Sequence, residues 1–173
     1  LKKPRPRIII IGAKGRVGSG AKDFCNAIDA SVTGWDIDET AHGGPFPEIL
    51  EHDIFLNCIL ANEETPIFVP DTVKTTKRKL MVIGDIACDP ESSYSPIKVY
   101  DQATSWQKPV KRVWDNQILD VTAIDNLPSL LPRESSEDYA AQLLPHLMSL
   151  NEIGTGVWEK AYAVFKDNIK NLK

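Results

Sequence analysis

Cysteine, methionine and histidine are scarce, with three, two and three among 173 residues. Cys25, Cys58 and Cys88 are odd in number, far apart and set in apolar or strand-end contexts. That argues against a disulfide framework and for a reducing, cytoplasmic compartment. His42, His52 and His146 share no metal-ligand spacing with one another or with the cysteines, so no metal site is expected. No apolar run approaches the roughly 20 residues that span a bilayer, and no signal peptide is visible, so no membrane partner is expected. Positive charge is not in excess either. A net charge of −4 gives no reason to expect nucleic acid as a partner, and the basic start Lys2-Lys3-Pro4-Arg5-Pro6-Arg7 reads as a solvated lead-in to a strand. Repeats and low-complexity segments are missing. What remains is an ordinary globular composition, 42% hydrophobic and 25% charged, long enough for one domain with a small appendage. The chain opens on Leu1 directly before a strand, which points to a piece of a longer polypeptide.

The stretch from Ile8 to Asp36 organises the rest. Ile8-Ile9-Ile10-Ile11 is β-branched and apolar throughout, as a parallel strand buried on both faces requires. Gly12-x-x-Gly15-x-x-Gly18 follows, with Gly20 beyond and Lys14 where the G-x-G-x-x-G pattern carries its second glycine. Glycines there let the backbone turn sharply and approach a phosphate. Val17, Ala21, Phe24 and Ile28 fall at helical spacing and predict the buried face of the next helix. Its N-terminus would aim amide groups and the positive dipole end at a diphosphate. A second strand ends at Asp36, 24 residues after Gly12. A carboxylate there accepts ribose hydroxyls and repels a 2′-phosphate, so the unit reads as a site for NAD rather than NADP. The alternative is a purely structural turn.

Further strands are expected at 53–59, 80–86 and 119–124, with shallower ones at 97–100 and 110–114. The pattern is that of an α/β protein: a Rossmann-like, doubly wound, mostly parallel sheet with a C-terminal helical tail. The expected strand order is 3-2-1-4-5-6, with an antiparallel excursion around 97–114. The expected division is a nucleotide-binding domain over 1–130 and a helical tail over 131–173. In the tail, Ser135 predicts one helix cap, Pro145 interrupts that helix, and Thr155 caps a last helix. Trp158, Tyr162, Phe165, Ile169 and Leu172 make an apolar stripe along it.

Three stretches together resemble one family, the NAD-dependent, lysine-forming saccharopine dehydrogenases. They are Ile11-Gly12-Ala13-Lys14-Gly15-Arg16-Val17-Gly18-Ser19-Gly20-Ala21; Trp35-Asp36-Ile37-Asp38-Glu39-Thr40 leading to Gly43-Gly44-Pro45-Phe46; and Ile124-Asp125-Asn126-Leu127-Pro128-Ser129-Leu130-Leu131-Pro132-Arg133-Glu134. The third is the most specific. The resemblance covers essentially the whole chain but only the C-terminal, NAD-binding half of a family member. It implies oxidative cleavage of saccharopine to lysine and 2-oxoglutarate in lysine biosynthesis, in a cleft between two α/β domains. It implies that Gly15 and Arg16 meet the pyrophosphate, that Gly12, Val17 and Gly18 of the same loop bind the cofactor, and that Asp36 takes the ribose, with Thr40 beside the adenosine. Leu60 and Ile86 would line the cofactor, and Ile124, Asp125, Asn126 and Leu127 would close over its nicotinamide end. Ala87, Cys88 and Asp89 would lie next to the substrate. The family's Lys and His acid/base pair belongs to the N-terminal domain and has no counterpart here. No catalytic residue is therefore assigned, the partner is that N-terminal domain, and the chain alone is expected to be inactive. Asn126 stands where family members carry His, and Leu60 replaces a larger aromatic.

Plainer readings stand beside these. Arg16 neutralises a diphosphate or faces solvent. Asp89 binds a substrate amine or caps a turn. For Cys88, with nothing nearby to lower its pKa, the inert reading is favoured over a reactive one. Two other functions fit the same residues: an amino-acid dehydrogenase of the alanine dehydrogenase type, and a non-catalytic NAD-binding module that regulates a partner.

Overall fold

A computed structural model describes residues 5–170. The basic stretch Lys2 to Pro4 and the last residue of the tail stripe, Leu172, lie outside the described residues. The chain divides into two compact units, one running to Asp125 and the other from Asn126.

The first unit is a six-stranded sheet. Its elements are β1 (Arg7–Ile11), α1 (Arg16–Ala27), β2 (Ser31–Trp35), α2 (Ile37–Thr40), α3 (Pro47–Leu50), β3 (Ile54–Asn57), β4 (Val82–Asp85), β5 (Lys111–Trp114) and β6 (Leu119–Thr122). Strands lie in the order β2-β1-β3-β4-β6-β5. All neighbours are parallel except β5 and β6. The antiparallel excursion is therefore present at β5, and the sheet is α/β and mostly parallel as expected.

The order itself corrects the expectation. A 3-2-1-4-5-6 sheet would place the third strand outside the second. Here β3 pairs directly with β1, Ile8 opposite Ile54 and Ile11 opposite Asn57. The chain thus reverses its direction of travel between β1 and β3, a switch point where loops diverge and leave a crevice at the strands' carboxyl ends.

Alternation along the strands builds two cores. Ile9, Ile11, Phe55, Ile83, Leu119 and Val121 pack on one face with Ile49, Phe68, Leu80 and Ile97. Ile8, Ile10 and Cys25 form a smaller cluster on the other, flanked by Ala13, Ala21, Val32, Ile54 and Leu56. The segment 97–100 corrects a second expectation. It is no strand, only a single bridge from Ile97 to Val69, yet Ile97, Val99 and Tyr100 are buried. Its alternation recorded packing against the sheet rather than pairing within it.

The face of α1 is a third correction. Val17, Phe24 and Ile28 are 50%, 66% and 53% exposed, whereas Gly18 and Cys25 are buried and Ala21 packs on the smaller core. The helix turns its small residues to the sheet. Close approach of the two backbones decides the packing face, and the larger apolar side chains are pushed to the side.

The second unit begins with a 3-10 turn over Leu127–Leu130, then α4 (Pro132–Met148) and α5 (Gly156–Ile169). Pro132 occupies the first turn of α4, where a missing N–H costs nothing. Ser135 is not its cap: its hydroxyl donates to the Pro128 carbonyl, 3.0 Å away. Pro145 removes one backbone bond, but the helix runs on to Met148. Thr155 does precede α5, without a side-chain cap bond; its hydroxyl donates to the Glu152 carbonyl instead. Trp158 Nε1 donates to the His146 carbonyl at 2.7 Å, joining the end of α4 to the start of α5. Among the described residues, no helix is long and apolar enough to cross a membrane.

Candidate functional site

The crevice at the β1/β3 switch point is a cleft of about 540 Å³. Gly12, Gly15, Asp36, Thr40 and Leu60, all singled out from sequence, line it. Ile37, Ala41, His42, Cys58, Ile59 and the loop from Asn62 to Phe68 complete its walls. These last residues carry no sequence signal, because loop positions enter a cleft only through the topology.

Gly12 turns the chain out of β1 with φ +88°, and a Cβ there would lie 2.8 Å from the Cys58 carbonyl oxygen. Only glycine permits both the conformation and the approach to the neighbouring strand's exit. The Gly12 and Ala13 amides donate to the Trp35 carbonyl, both at 2.9 Å, tying the loop to the end of β2. Helix α1 then begins with Gly15 at its N-cap, with no side-chain cap and no acidic residue in its first turn. Helix starts leave their first-turn amides outside the intrahelical ladder, where anions are favoured.

Helix α2 is built the opposite way. Asp36 caps it, and a capping box closes when the Asp36 amide donates to Glu39 Oε2 at 2.7 Å. Asp36 Oδ1 accepts from the Ile37 amide at 2.9 Å and Oδ2 from the Lys14 amide at 2.8 Å. The Lys14 and Ile37 bonds hold this carboxyl below the usual carboxylate range. It therefore stays ionised at neutral and mildly acidic pH. The Glu39 amide of the capping box is a third donor to the side chain, so three of roughly four lone-pair positions on the carboxylate are used and one is left for a further hydroxyl donor. Thr40, buried, donates its hydroxyl to the Asp36 carbonyl at 2.9 Å.

The remaining sequence candidates fall elsewhere. Arg16 and Val17 sit on the exposed first turn of α1, and Gly18 lies beneath it. Ile86 follows β4, half-buried, its amide donating to the Asn57 carbonyl at 3.0 Å. Ala87 and Asp89 line a separate cavity of about 60 Å³ with Leu60, Asp85 and Tyr94. Cys88 has φ +47°, and its Sγ donates to the Ala123 carbonyl at 3.1 Å. Burial first, then Asp85, pushes its thiol up to about 11, which favours the inert reading. Ile124 is buried and bridges to Thr104, and Asp125 is exposed. Asn126, left-handed at φ +63°, and Leu127 open the second unit. Neither Ile124 nor Asp125 lines the cleft.

Sequence reasoning missed the group behind the small cavity. Asp85 is 2% exposed. Its Oδ2 accepts from Tyr100 OH at 2.6 Å, and its Oδ1 accepts from Asn57 Nδ2 at 2.9 Å and from the Cys88 amide at 3.3 Å. Asn57 and Asp85 are register neighbours at the ends of β3 and β4. Tyr100 joins from 15 residues away, a contact no local pattern announces. Among the described residues, no cluster of His, Cys, Asp and Glu could hold a metal ion. His52 is buried with both ring nitrogens engaged, one to the Glu48 carbonyl and one to the Thr33 hydroxyl, each at 2.9 Å.

Gly15 tests where a ligand lies. Its φ of −71° is open to any residue, although a Cβ would lie 3.2 Å from the Gly12 carbonyl oxygen, so the turn must yield slightly. Gly15→Val should keep the parent's melting temperature within about 3 °C, a difference near 1 kcal/mol. It should nevertheless weaken nucleotide binding at least about tenfold by filling the approach to the α1 amides. Calorimetry beside a thermal melt checks both.

No family model matches the chain. It is 41% identical over 175 residues to a Neurospora crassa protein named saccharopine dehydrogenase (NAD(+), L-lysine-forming), covering 96% of this chain and 47% of the relative. Proteins of the same name from Schizosaccharomyces pombe and Candida albicans are 40% and 41% identical, again over 96% of this chain and 48% and 46% of theirs. The chain spans about half the length of the curated relatives it matches.

Proposed function

Starting from kinship with the saccharopine dehydrogenases over nearly the whole chain, we propose that this protein is the NAD-binding half of such an enzyme. The enzyme would oxidatively cleave saccharopine to L-lysine and 2-oxoglutarate in lysine biosynthesis by the aminoadipate pathway. The observation that carries the reading is the Asp36 carboxylate, ionised and with one acceptor position left, in the wall of the switch-point cleft. Asp36 accepts an adenosine ribose hydroxyl, with Thr40 beside it. Gly12, Gly15, Arg16, Val17 and Gly18 set the diphosphate against the start of α1. Leu60 and Ile86 continue the site, and Ile124, Asp125, Asn126 and Leu127 cover the nicotinamide end. Ala87, Cys88 and Asp89 meet the substrate. When bound, NAD supplies the hydride acceptor. The proton that must be moved as the C–N carbon is oxidised needs a group of suitable pKa within hydrogen-bond reach. In the family that the chain resembles, the Lys and His that do this work belong to the N-terminal domain, and the same division is proposed here, with the acid/base work in the N-terminal catalytic domain of the same enzyme. The nucleotide-binding domain takes 1–130 and the tail 131–173. Three free thiols favour the cytoplasm.

Calorimetry with both nucleotides tests the reading. The parent should bind NAD well over NADP. Asp36→Ser should weaken NAD about tenfold or more, the size of a lost charge-assisted hydrogen bond, and narrow the preference. The chain alone, given saccharopine and NAD, should form no NADH, and adding the N-terminal half should restore turnover. Equal binding of NAD and NADP by the parent overturns the cofactor assignment. NADH formation by the pure chain overturns the division of labour.

A further inference from the structure

The ribose corner contains a cation held out of use. Lys14 donates its backbone amide to Asp36 Oδ2 at 2.8 Å, so it stands directly beside the carboxylate assigned to the ribose. Its Nζ, however, is paired with Asp38 Oδ2 at 2.6 Å. Asp38 lies one residue inside α2 from Ile37, and its side chain, like that of Lys14, is about two-thirds exposed. The bond to Asp38, and its charge, raise the Lys14 ammonium above its ordinary value. Glu39 is spoken for by the capping box.

A 2′-phosphate on an adenosine ribose is accepted where a cation reaches it and rejected where a carboxylate faces it. Lys14 has the reach, because an ammonium on a four-carbon stem sweeps several ångströms around a backbone already bonded to Asp36. We propose that Asp38 is a second determinant of nucleotide choice: it ties down Lys14, which would otherwise swing to a 2′-phosphate. This rests on the NAD reading of the cleft. Asp36 would reject the phosphate directly, and Asp38 would do so by engaging Lys14, a positive group beside the ribose position.

The test is calorimetry of NAD and NADP with Asp38→Asn, Asp36→Ser, the double variant, and the double variant with Lys14→Met. Asp38→Asn keeps shape and helix start, and a thermal melt checks the fold. NADP affinity should rise about 2- to 5-fold in Asp38→Asn, the scale of an exposed charge pair, with NAD changed by less than that. The gain should be larger in the double variant, vanish with Lys14→Met, and shrink as salt is raised. A gain that survives Lys14→Met would mean that Asp38 acts only by its own negative charge, and overturns the proposal. So does an unchanged NADP affinity in Asp38→Asn while the parent binds NAD and Asp36→Ser alters the preference; in that case the NAD reading stands. Failure of the parent to bind either nucleotide removes both.

Discussion

Gly18→Ala should be the most damaging single-methyl change in the sheet unit, lowering the melting temperature by about 6–12 °C, a cost of about 3 kcal/mol at a chain of this size. A Cβ on Gly18 would lie 2.7 Å from the Gly12 carbonyl carbon and 2.9 Å from the Ala13 Cα, and closer still to the Gly12 oxygen. These are backbone atoms of the turn that leaves β1, so no side-chain rotation makes room. Relief requires α1 to lift from the sheet, which would also open the contact of Cys25 and Ala21 with Ile8 and Ile10. Gly20→Ala is the control. A Cβ there meets nothing within 4 Å, and alanine gains about 0.5–1 kcal/mol over glycine inside a helix. A Gly18→Ala protein that melts within about 2 °C of the parent would show that α1 rides higher than described.

The same helix separates what sequence could tell from what it could not. The run of isoleucines, the glycine turn and Asp36 are local: the isoleucines form β1, the turn leads into α1, and Asp36 follows β2 in the wall of the cleft. The buried face of α1 is not local. Hydrophobic spacing ranks Val17, Phe24 and Ile28 above Gly18, because it measures apolar area and has no measure of how close two backbones must come. Strand order fails for a related reason. Nothing in Ile54 to Asn57 says which side of β1 it will pair with, since a strand buried on both faces looks alike from either edge. The cleft inherits that blindness. Its Gly12 and Asp36 were legible, while the wall from Asn62 to Phe68 follows from where β3 lies.

Asp85 and Tyr100 carry the second large effect. Tyr100→Phe should destabilise the protein by about 1.5–3 kcal/mol, the worth of a hydrogen bond to a charged group. The hydroxyl is the donor to Asp85 Oδ2, and the carboxylate, 2% exposed, has no water surface from which to replace it. The loss has a pH signature. Burial first, then the charge of Asp85, raises the Tyr100 hydroxyl far above its ordinary value of 10. A raised pKa favours the protonated form in the folded state. Its contribution is therefore complete below pH 10 and is lost as pH climbs above that, when the unfolded chain ionises its tyrosine and the folded one cannot. Phenylalanine has no proton to lose. The gap in stability between parent and Tyr100→Phe should be constant from neutral pH to about pH 9 and close progressively above pH 10. Chemical denaturation at a series of pH values measures it. A gap that stays fixed to pH 11 would mean that the hydroxyl ionises as readily in the folded chain as in the unfolded one, so that neither burial nor Asp85 acts on it. An absent gap at pH 7 would mean that Asp85 finds another donor, and the Cys88 turn, whose amide shares that carboxylate, would then have to be held by the backbone bonds around it.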